Sequence, residues 1–249
     1  MRRPAALLFV ACCLLFAAAC SALDKPETAD IVSGIPWTAP EEHTYTLKDD
    51  GKVVGETSLS VEQDGDTYLL TQRSSDGKGN VDEASVVVDA KTLKPVRGTR
   101  SITDEDQRNA AVSTYEASDD CDSGIVVRIE EQVFRPSDET TPDVPRRAPL
   151  CLPDEHAYDN DTSLFLWRTI RFEEGYLENY TTVLTGTRRT QTVRIEVIRR
   201  TTDTPVGEQD SWLVQISADG KNQRAWFSAD PDHRLLAYQN DSFTFELKE

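Results

Sequence analysis

The chain has 249 residues, enough to bury the core of one large domain or two small ones. It carries 44 acidic and 27 basic residues, which gives a formal net charge of −17 at pH 7. Such acidity excludes charge-driven binding to nucleic acid or to anionic lipid head groups, because both would be repelled. We therefore expect no nucleic-acid partner, and a solvated acidic surface.

The first 19 residues are typical of a secretory signal peptide. Arg2 and Arg3 provide a positive start, and residues 5–19 form an uninterrupted apolar run. This run is shorter than the roughly 20 residues that a membrane-spanning helix needs. The sequence predicts that residues 1–19 are removed on export.

The signal peptide ends in a sequence that resembles the bacterial lipobox, in which small residues precede an invariant cysteine. Residues 17–20 read Ala-Ala-Ala-Cys, although the lipobox favours leucine where Ala17 stands. The resemblance implies that Cys20 carries a diacylglyceryl group and becomes the new N-terminus. Acyl chains contribute about 0.8 kcal/mol per buried CH₂, so two chains anchor a protein stably. We expect a lipoprotein on the extracytoplasmic face of the cell membrane; a plain cut after Ala19 or Ala22 is the alternative.

The use of cysteine supports export. Of the 5 cysteines, two leave with the signal peptide and Cys20 is assigned to lipid, so Cys121 and Cys151 remain. Two cysteines in an oxidising compartment allow one pairing. A Cys121–Cys151 disulfide closes a loop of about 30 residues, which stabilises the fold by about 3 kcal/mol in the chain-entropy model. A reactive thiol is the alternative, with His156 as its only neighbouring histidine in the sequence.

The rest of the chain divides at residue 40. Residues 20–40 are polar and rich in proline, which predicts a lipidated N-terminus and a flexible tether. Residues 41–249 contain short alternating runs separated by turn residues, with hairpin signals at 49–51 and 64–66. Turns every eight to twelve residues or so favour an antiparallel all-β fold. We predict a single β-rich domain over 41–249.

One segment departs from the strand pattern. A polar stretch that includes Asp161 and Thr162 precedes the apolar residues Leu164, Phe165 and Leu166. Either Asp161 or Thr162 is suited to cap a short helix, which we expect to end at the residues 173–175, Glu-Glu-Gly. A strand is the alternative for this segment.

An internal repeat gives the architecture. Residues 66–70 resemble residues 210–214, and in both places a glycine turn, an apolar strand, a polar turn and a short segment follow in the same order. The repeat predicts two similar halves, about 41–135 and 176–249. We expect a mostly β fold of two repeated curved antiparallel sheets, as a sandwich or a partly open barrel, with one short helix between them.

The chain also resembles a family of exported bacterial proteins of uncharacterised function. The resemblance is carried by residues 158–164 (Tyr-Asp-x-Asp-x-Ser-Leu), by a following arginine that is either Arg168 or Arg171, and by residues 226–230 (Trp-Phe-Ser-Ala-Asp). It departs at residues 235–236, where Leu-Leu replaces the usual Pro-Val. The resemblance implies a relationship with the half-barrel lipoprotein carriers, which hold acyl chains against a concave apolar face.

No chemical motif stands out. The 3 histidines are far apart in the sequence, and neither a nucleophile elbow nor a phosphate-binding glycine loop occurs. Acidic clusters at 119–122 and 159–161 lack the distant glutamate of a calcium loop. We therefore expect no catalytic residues, no metal and no cofactor. The aromatic side chains either fill the core or line a ligand cavity. The candidate cavity residues are Tyr68, Trp167, Trp212, Trp226, Phe227 and Tyr238.

These features predict a non-enzymatic, membrane-anchored lipoprotein that binds a hydrophobic ligand or lipid in a β-sheet cavity. Its expected partners are the membrane, through the N-terminal lipid, and that ligand. Two alternatives remain: a structural or interaction module whose acidic surface faces an envelope protein, and a hydrolase.

Overall fold

A computed structural model describes residues 27–104, 108–134, 146–241 and 243–248. Its strands form one 15-stranded sheet in the order β8 to β1, then β15 to β9. All neighbours pair antiparallel except β9 and β10, which are parallel. The strands are β1 Glu41–Asp49, β2 Lys52–Asp64, β3 Thr67–Ser75, β4 Val81–Asp89, β5 Pro95–Thr103, β6 Arg108–Ala117, β7 Ile125–Phe134, β8 Arg146–Cys151, β9 Ala157–Asp159, β10 Leu177–Leu184, β11 Arg189–Thr204, β12 Gly207–Ala218, β13 Lys221–Ser228, β14 Leu235–Asn240 and β15 Phe243–Leu247.

The predicted mostly β fold is confirmed, but the two predicted sheets are parts of a single sheet. The last strand, β15, pairs with the first, β1, with Leu47 opposite Phe245. Each half is a meander of neighbouring hairpins, and the β1–β15 pairing joins the two meanders side by side. The repeat occupies equivalent positions in them, since β3 and β4 correspond to β12 and β13. The glycine turns match too, because Gly77 and Gly220 both adopt positive φ, 70° and 74°.

The two edges of the sheet approach each other and close it into a partly open barrel. No hydrogen-bond ladder joins β8 to β9 in the part of the chain that the structure describes. Side chains make the contact instead: Val127 and Ile129 of β7 pack with Ala157 of β9, Val183 of β10 and Leu152 in one buried cluster. A larger apolar core, to which both halves contribute, fills much of the remaining barrel interior. Strand twist gives a sheet of this width the curvature that such closure needs.

The predicted helix is present but short, and it lies inside the barrel. It consists of a 3₁₀ turn at Asn160–Thr162, α1 at Ser163–Leu166 and a second 3₁₀ turn at Trp167–Thr169. Of the two predicted caps, Thr162 occupies the N-cap position of α1, although its side chain makes no capping hydrogen bond, and Asp161 is wrong. Asp159 is the N-cap of the first 3₁₀ turn, and its Oδ1 accepts a hydrogen bond from the Asp161 amide at 3.0 Å. The helical segment ends at Thr169, before the predicted residues 173–175, because the backbone of Ile170 is extended (φ −71°, ψ 168°). Seven consecutive residues, 164–170, are buried within the barrel.

The prediction of a flexible tether up to residue 40 is wrong for residues 27–40. Ile31 and Trp37 are buried in the core, at 1% and 6% exposure. The Ala29 amide donates to the Asn179 carbonyl at 2.9 Å, and the Ser33 amide to the Thr169 carbonyl at 2.8 Å. The composition is polar, but the few apolar side chains of this segment are the ones that pack. From residue 27 onward the chain is therefore part of the fold.

The structure contains the predicted disulfide between Cys121, in the β6–β7 connection, and Cys151, the last residue of β8. The bond ties the edge of the sheet to the neighbouring hairpin. The predicted signal peptide and the lipidation site Cys20 lie outside the described residues. Within those residues, no helix has the length and apolar character required to cross a membrane.

Candidate functional site

A cavity of about 400 Å³ opens at one end of the barrel, which we call the open end. The turns β1–β2, β3–β4, β12–β13 and β14–β15 lie at this end. Both halves of the sheet and the internal helical segment contribute side chains to the cavity wall. A second cleft adjoins the cavity and shares with it residues such as Arg100, Asp161 and Gln191. The open end is therefore the natural candidate for a binding site.

The cavity exists because inward-facing side chains change from apolar to polar toward the open end. Alternate residues of a strand share one face of the sheet, so each strand presents one inward row. The rows are Tyr68, Leu70, Gln72 and Ser74 on β3, and Val197, Ile195, Val193 and Gln191 on β11. The apolar members pack in the core, whereas the last two residues of the β3 row and the last residue of the β11 row face the cavity.

The inner wall of the cavity is apolar. Leu164, Val193 and Ile216 reach it and are almost completely buried, at 6%, 3% and 1% exposure. Trp167 and Tyr238 add aromatic surface, with their ring centroids 5.9 Å apart. This wall can hold an apolar group away from water, which is favourable in proportion to the area covered.

The six predicted cavity aromatics have different locations. Only Trp167 and Tyr238 line the cavity. The expectation is wrong for the other four, since their rings are used in packing. Tyr68 and Phe227 lie in the core, and Trp212 packs against it. Trp226 belongs to a separate cluster with Leu236 and Ala237, because it faces the other side of β13 from Phe227.

A charged group forms the wall opposite the apolar side. Arg100 on β5 donates two hydrogen bonds to Asp82 on β4, at 3.0 and 2.7 Å, and a third to Asp161 at 2.9 Å. Burial raises the pKa of Asp161, while the guanidinium of Arg100 opposes that rise. Hydrogen bonds from Arg100 to Asp82 raise the pKa of Arg100, although burial acts against them. These hydrogen bonds fasten the helical segment to the first half of the sheet.

Behind this group lies a fully buried carboxylate. Asp159 is 1% exposed, and its Oδ2 accepts a hydrogen bond from the Tyr115 hydroxyl at 2.6 Å. Burial, together with the nearby charge of Asp161, raises the pKa of Asp159 to about 7. Burial and the adjoining Asp159 raise the pKa of Tyr115 as well, so its hydroxyl remains a donor. Asp159 is thus a structural acceptor that caps the helical segment and joins it to β6.

We expect the stability of the protein to fall as pH rises from about 4 to about 7. The pKa of Asp159 is higher in the folded chain than in the unfolded one, so the folded state binds the extra proton in this window. Each fully differential proton changes the free energy of unfolding by up to about 1.4 kcal/mol per pH unit. Urea denaturation between pH 4 and pH 7.5 measures the slope. In Asp159→Asn the slope should be smaller, whereas the exposed control Asp232→Asn should keep it; equal slopes in all three proteins would contradict the prediction.

At the opposite end of the barrel, which we call the closed end, a buried arginine joins three parts of the chain. Arg168 is 3% exposed. It forms a two-pronged ion pair with Glu41 at the start of β1, and donates to the carbonyls of Asp232 and His233 at 2.9 and 3.1 Å. Burial alone would raise the pKa of Glu41, but the neighbouring His43, 3.5 Å away, and the hydrogen bonds from Arg168 hold it at about 2. Trp37 covers Arg168, with the guanidinium carbon 5.3 Å from its ring centroid.

Sequence reasoning missed most of the polar residues of the site. It singled out Asp159 and Asp161 as part of the family-like motif, the helix start and an acidic cluster, but not as residues of a binding site, and it did not select Asp82 or Arg100. The described residues contain no cluster of three potential metal ligands among histidine, cysteine and acidic side chains. One signal was available, because the inward row of β3 turns polar at Gln72, which marks where the packed core ends.

Comparison with known proteins gives the family. A model of the family described as "Protein of unknown function (DUF3108)" matches residues 43–242, most of the chain. The chain belongs to the DUF3108 family. The expectation of an uncharacterised family is thereby confirmed, and the family description assigns neither a ligand nor an activity to its members. No curated protein shows a significant match to this chain.

A solved structure shows a distant likeness to this DUF3108 chain. It is the crystal structure of a β-barrel-like protein of the domain of unknown function DUF1849 from Brucella abortus. The two sequences are 9% identical, the match covers 88% of this chain and 96% of the other, and the TM-score is 0.40. The DUF3108 region runs from within β1 past the end of β14, so it includes most of the cavity wall, the helical segment and both Arg100 and Arg168, but not the wall residues Phe243 and Phe245.

Proposed function

We propose that this DUF3108 protein is an exported, lipid-anchored binding protein that holds a hydrophobic ligand at the open end of its barrel. The cavity of about 400 Å³ between the two halves carries the proposal. A buried apolar wall faces a polar wall across this space, which is the usual make-up of small-molecule sites. The resemblance to half-barrel lipoprotein carriers and the lipobox-like sequence at residues 17–20 add support from the sequence.

The cavity part of the proposal is tested with N-phenyl-1-naphthylamine, a neutral apolar dye that becomes fluorescent when shielded from water. We expect saturable binding to the protein. Ala218 lines both the cavity and the adjoining cleft, so the ring added by Ala218→Phe should fill the space and weaken dye binding at least tenfold. Ser217 is the preceding residue on β12 and points to the other face of the sheet. Its variant Ser217→Phe is the matched control and should bind as the parent does.

Two results would reject the binding site. One is the lack of saturable dye binding by the parent protein. The other is equal binding by the Ala218→Phe and Ser217→Phe variants when circular dichroism shows both to be folded, because the dye would then sit elsewhere.

The anchor part of the proposal has its own test. Expressed in a bacterium with its own signal sequence, the protein should fractionate with membranes, and mass spectrometry of its N-terminal peptide should show a diacylglyceryl group on Cys20. Cys20→Ala should release the protein from the membrane. An unmodified Cys20 in the mature protein, or a mature N-terminus at another residue, would reject the anchor without affecting the cavity.

A further inference from the structure

We infer that the ligand of the open-end cavity carries a neutral polar group, a hydroxyl or an amide, rather than a charged one. The inference rests on the proposed function and names the chemical class of the ligand at the same site. The ligand would be an amphiphile with an apolar part and an uncharged hydrogen-bonding head. Three observations support it. The charged side chains of the wall are bound to each other, and several amide side chains of the wall have no hydrogen-bond partner. The apolar wall also lies deeper in the cavity than these amides.

The charged side chains of the cavity wall contact each other, since two carboxylates, Asp82 and Asp161, share one guanidinium, Arg100. Arg100 uses both sides of its guanidinium, since it holds Asp82 through two hydrogen bonds and Asp161 through a third. An anionic head group would have to displace one of these carboxylates from Arg100. A cationic head group would have to compete with Arg100 for the two carboxylates, and burial of Asp161, which raises its pKa, disfavours the one negative charge that Arg100 leaves in excess. Either exchange separates partners in a half-buried setting, where an uncompensated charge is costly.

The charges of the adjoining cleft follow the same pattern. Arg189 pairs with Asp219 at 2.7 Å, and Lys221 pairs with Asp241 at 3.0 Å. All four side chains are about half exposed or more, so these pairs are solvated and present no unmatched charge toward the cavity. The approach to the site is therefore close to electrically balanced, in a chain whose net charge is −17.

Amide side chains of the cavity wall retain free hydrogen-bonding groups. Among the residues that the structure describes, none hydrogen-bonds to the side chains of Gln72, Asn160 or Gln191, which all line the cavity. Asn240, which lines it too, has a buried Oδ1 without a partner among those residues. An amide offers one acceptor and two donors on a short arm, which suits a hydroxyl or an amide that both donates and accepts. A ligand that supplies a partner for the Asn240 oxygen also removes the cost of leaving it unsatisfied.

The depth of these groups sets the orientation of the ligand. Val193 and Gln191 are neighbours in the inward row of β11, with Val193 deeper and Gln191 nearer the open end. On β3, Leu70 precedes Gln72 in the same way. The apolar part of an amphiphile would thus lie against the inner wall, and its head would reach the level of the amides. A free carboxylate or ammonium at that level would meet amides and an already paired Arg100.

Competition with the dye tests the inference. Three amphiphiles with eight-carbon chains, counting the carboxyl carbon of octanoate, but with different heads are compared below their micelle-forming concentrations: octyl glucoside is neutral, octanoate is anionic and octylamine is cationic. We expect octyl glucoside to displace N-phenyl-1-naphthylamine at a concentration at least tenfold lower than the other two. The double variant Gln72→Leu/Gln191→Leu should need at least tenfold more octyl glucoside than the parent to displace the dye, once each concentration is corrected for the dye affinity measured for that same protein. Gln239→Leu, an exposed position on β14, is the matched control and should behave as the parent does.

The outcomes separate this inference from the proposed function. If the dye binds but octanoate or octylamine displaces it as well as octyl glucoside does, the cavity binds ligands and the inference of a neutral head is wrong. The inference also fails if the double variant keeps the preference of the parent. If the dye does not bind at all, the proposed binding function fails, and the inference fails with it.

Discussion

Replacing Arg168 by methionine should lower the free energy of unfolding by about 3–5 kcal/mol, because removing one partner of a buried ion pair leaves the other charge uncompensated. Methionine keeps much of the volume of the stem but offers no donor to Glu41 or to the carbonyls of Asp232 and His233. Those carbonyls belong to the β13–β14 turn, so the loss also frees one end of the second half. Urea denaturation at pH 7, with the slope m checked for constancy, measures the effect.

Arg171 provides the control for this prediction. It lies three residues further along the same segment but is exposed, and its guanidinium carbon lies 5.7 Å from the ring centroid of Tyr176. Arg171→Met should change stability by no more than about 0.5 kcal/mol, as is usual for surface substitutions. Similar losses of stability in both variants would contradict the role assigned to the buried ion pair. They would show instead that any substitution in residues 168–171 lowers stability.

The pH dependence gives a second signature for Arg168. The pKa of Glu41 is held at about 2 in the folded protein, so its contribution to stability is present above its ordinary pKa and is lost as pH falls toward 2. In Arg168→Met the partly buried Glu41 loses its arginine partner and should take up a proton at higher pH. The gap in stability between parent and variant should therefore narrow as pH is lowered from 7 to 4. A constant gap would mean that the loss is one of packing rather than of charge.

The local elements of this fold could be predicted from the sequence because their causes are local. Hairpin turns such as 49–51 need residues that tolerate positive φ, and Asp50 and Gly51 both adopt it, at 46° and 76°. Strand alternation and the repeat likewise indicated the two meanders. The pairing of β1 with β15 was not predicted, because it joins the ends of the domain and no local pattern encodes it.

The candidate site could be predicted only in part, since burial depends on contacts between distant segments. Among the six aromatics, the sequence alone could not separate Trp167, which lines the cavity, from Trp226, which packs on the other face of the sheet. The choice between Arg168 and Arg171 also remained open, because which arginine is buried depends on Glu41, far away in the chain. The polar composition of the segment before residue 41 led to the wrong prediction of a flexible tether. Trp37 packs against Tyr68, and this contact holds the segment on the fold despite its many polar residues.

Replacing Gly98 by alanine should lower the free energy of unfolding by about 3 kcal/mol, at the upper end of the usual cost of overpacking. Gly98 lies on β5, beside Asp159, the residue that caps the helical segment. A Cβ there would lie 2.5 Å from the Ser113 Oγ and 3.1 Å from the Asp159 Oδ2. Ser113 and Asp159 are themselves buried, at 2% and 1% exposure, so neither can swing away into solvent. Thermal and urea denaturation measure the loss.

Two further variants distinguish crowding from a general cost of alanine in this fold. A Cβ added at Gly186 would meet no described atom within 4 Å, and Gly186 has no positive φ, so Gly186→Ala should be close to neutral. Ser113→Ala removes the oxygen that the new methyl group would strike, and combined with Gly98→Ala it should recover part of the stability that Gly98→Ala loses. Such non-additivity is expected of residues in direct contact. If the loss in free energy of unfolding in the double variant equals the sum of the two single losses, the prediction is contradicted. The sheet would then shift at β5 to accept the methyl group, and Gly98 would not be required for the helical segment to lie close to the sheet.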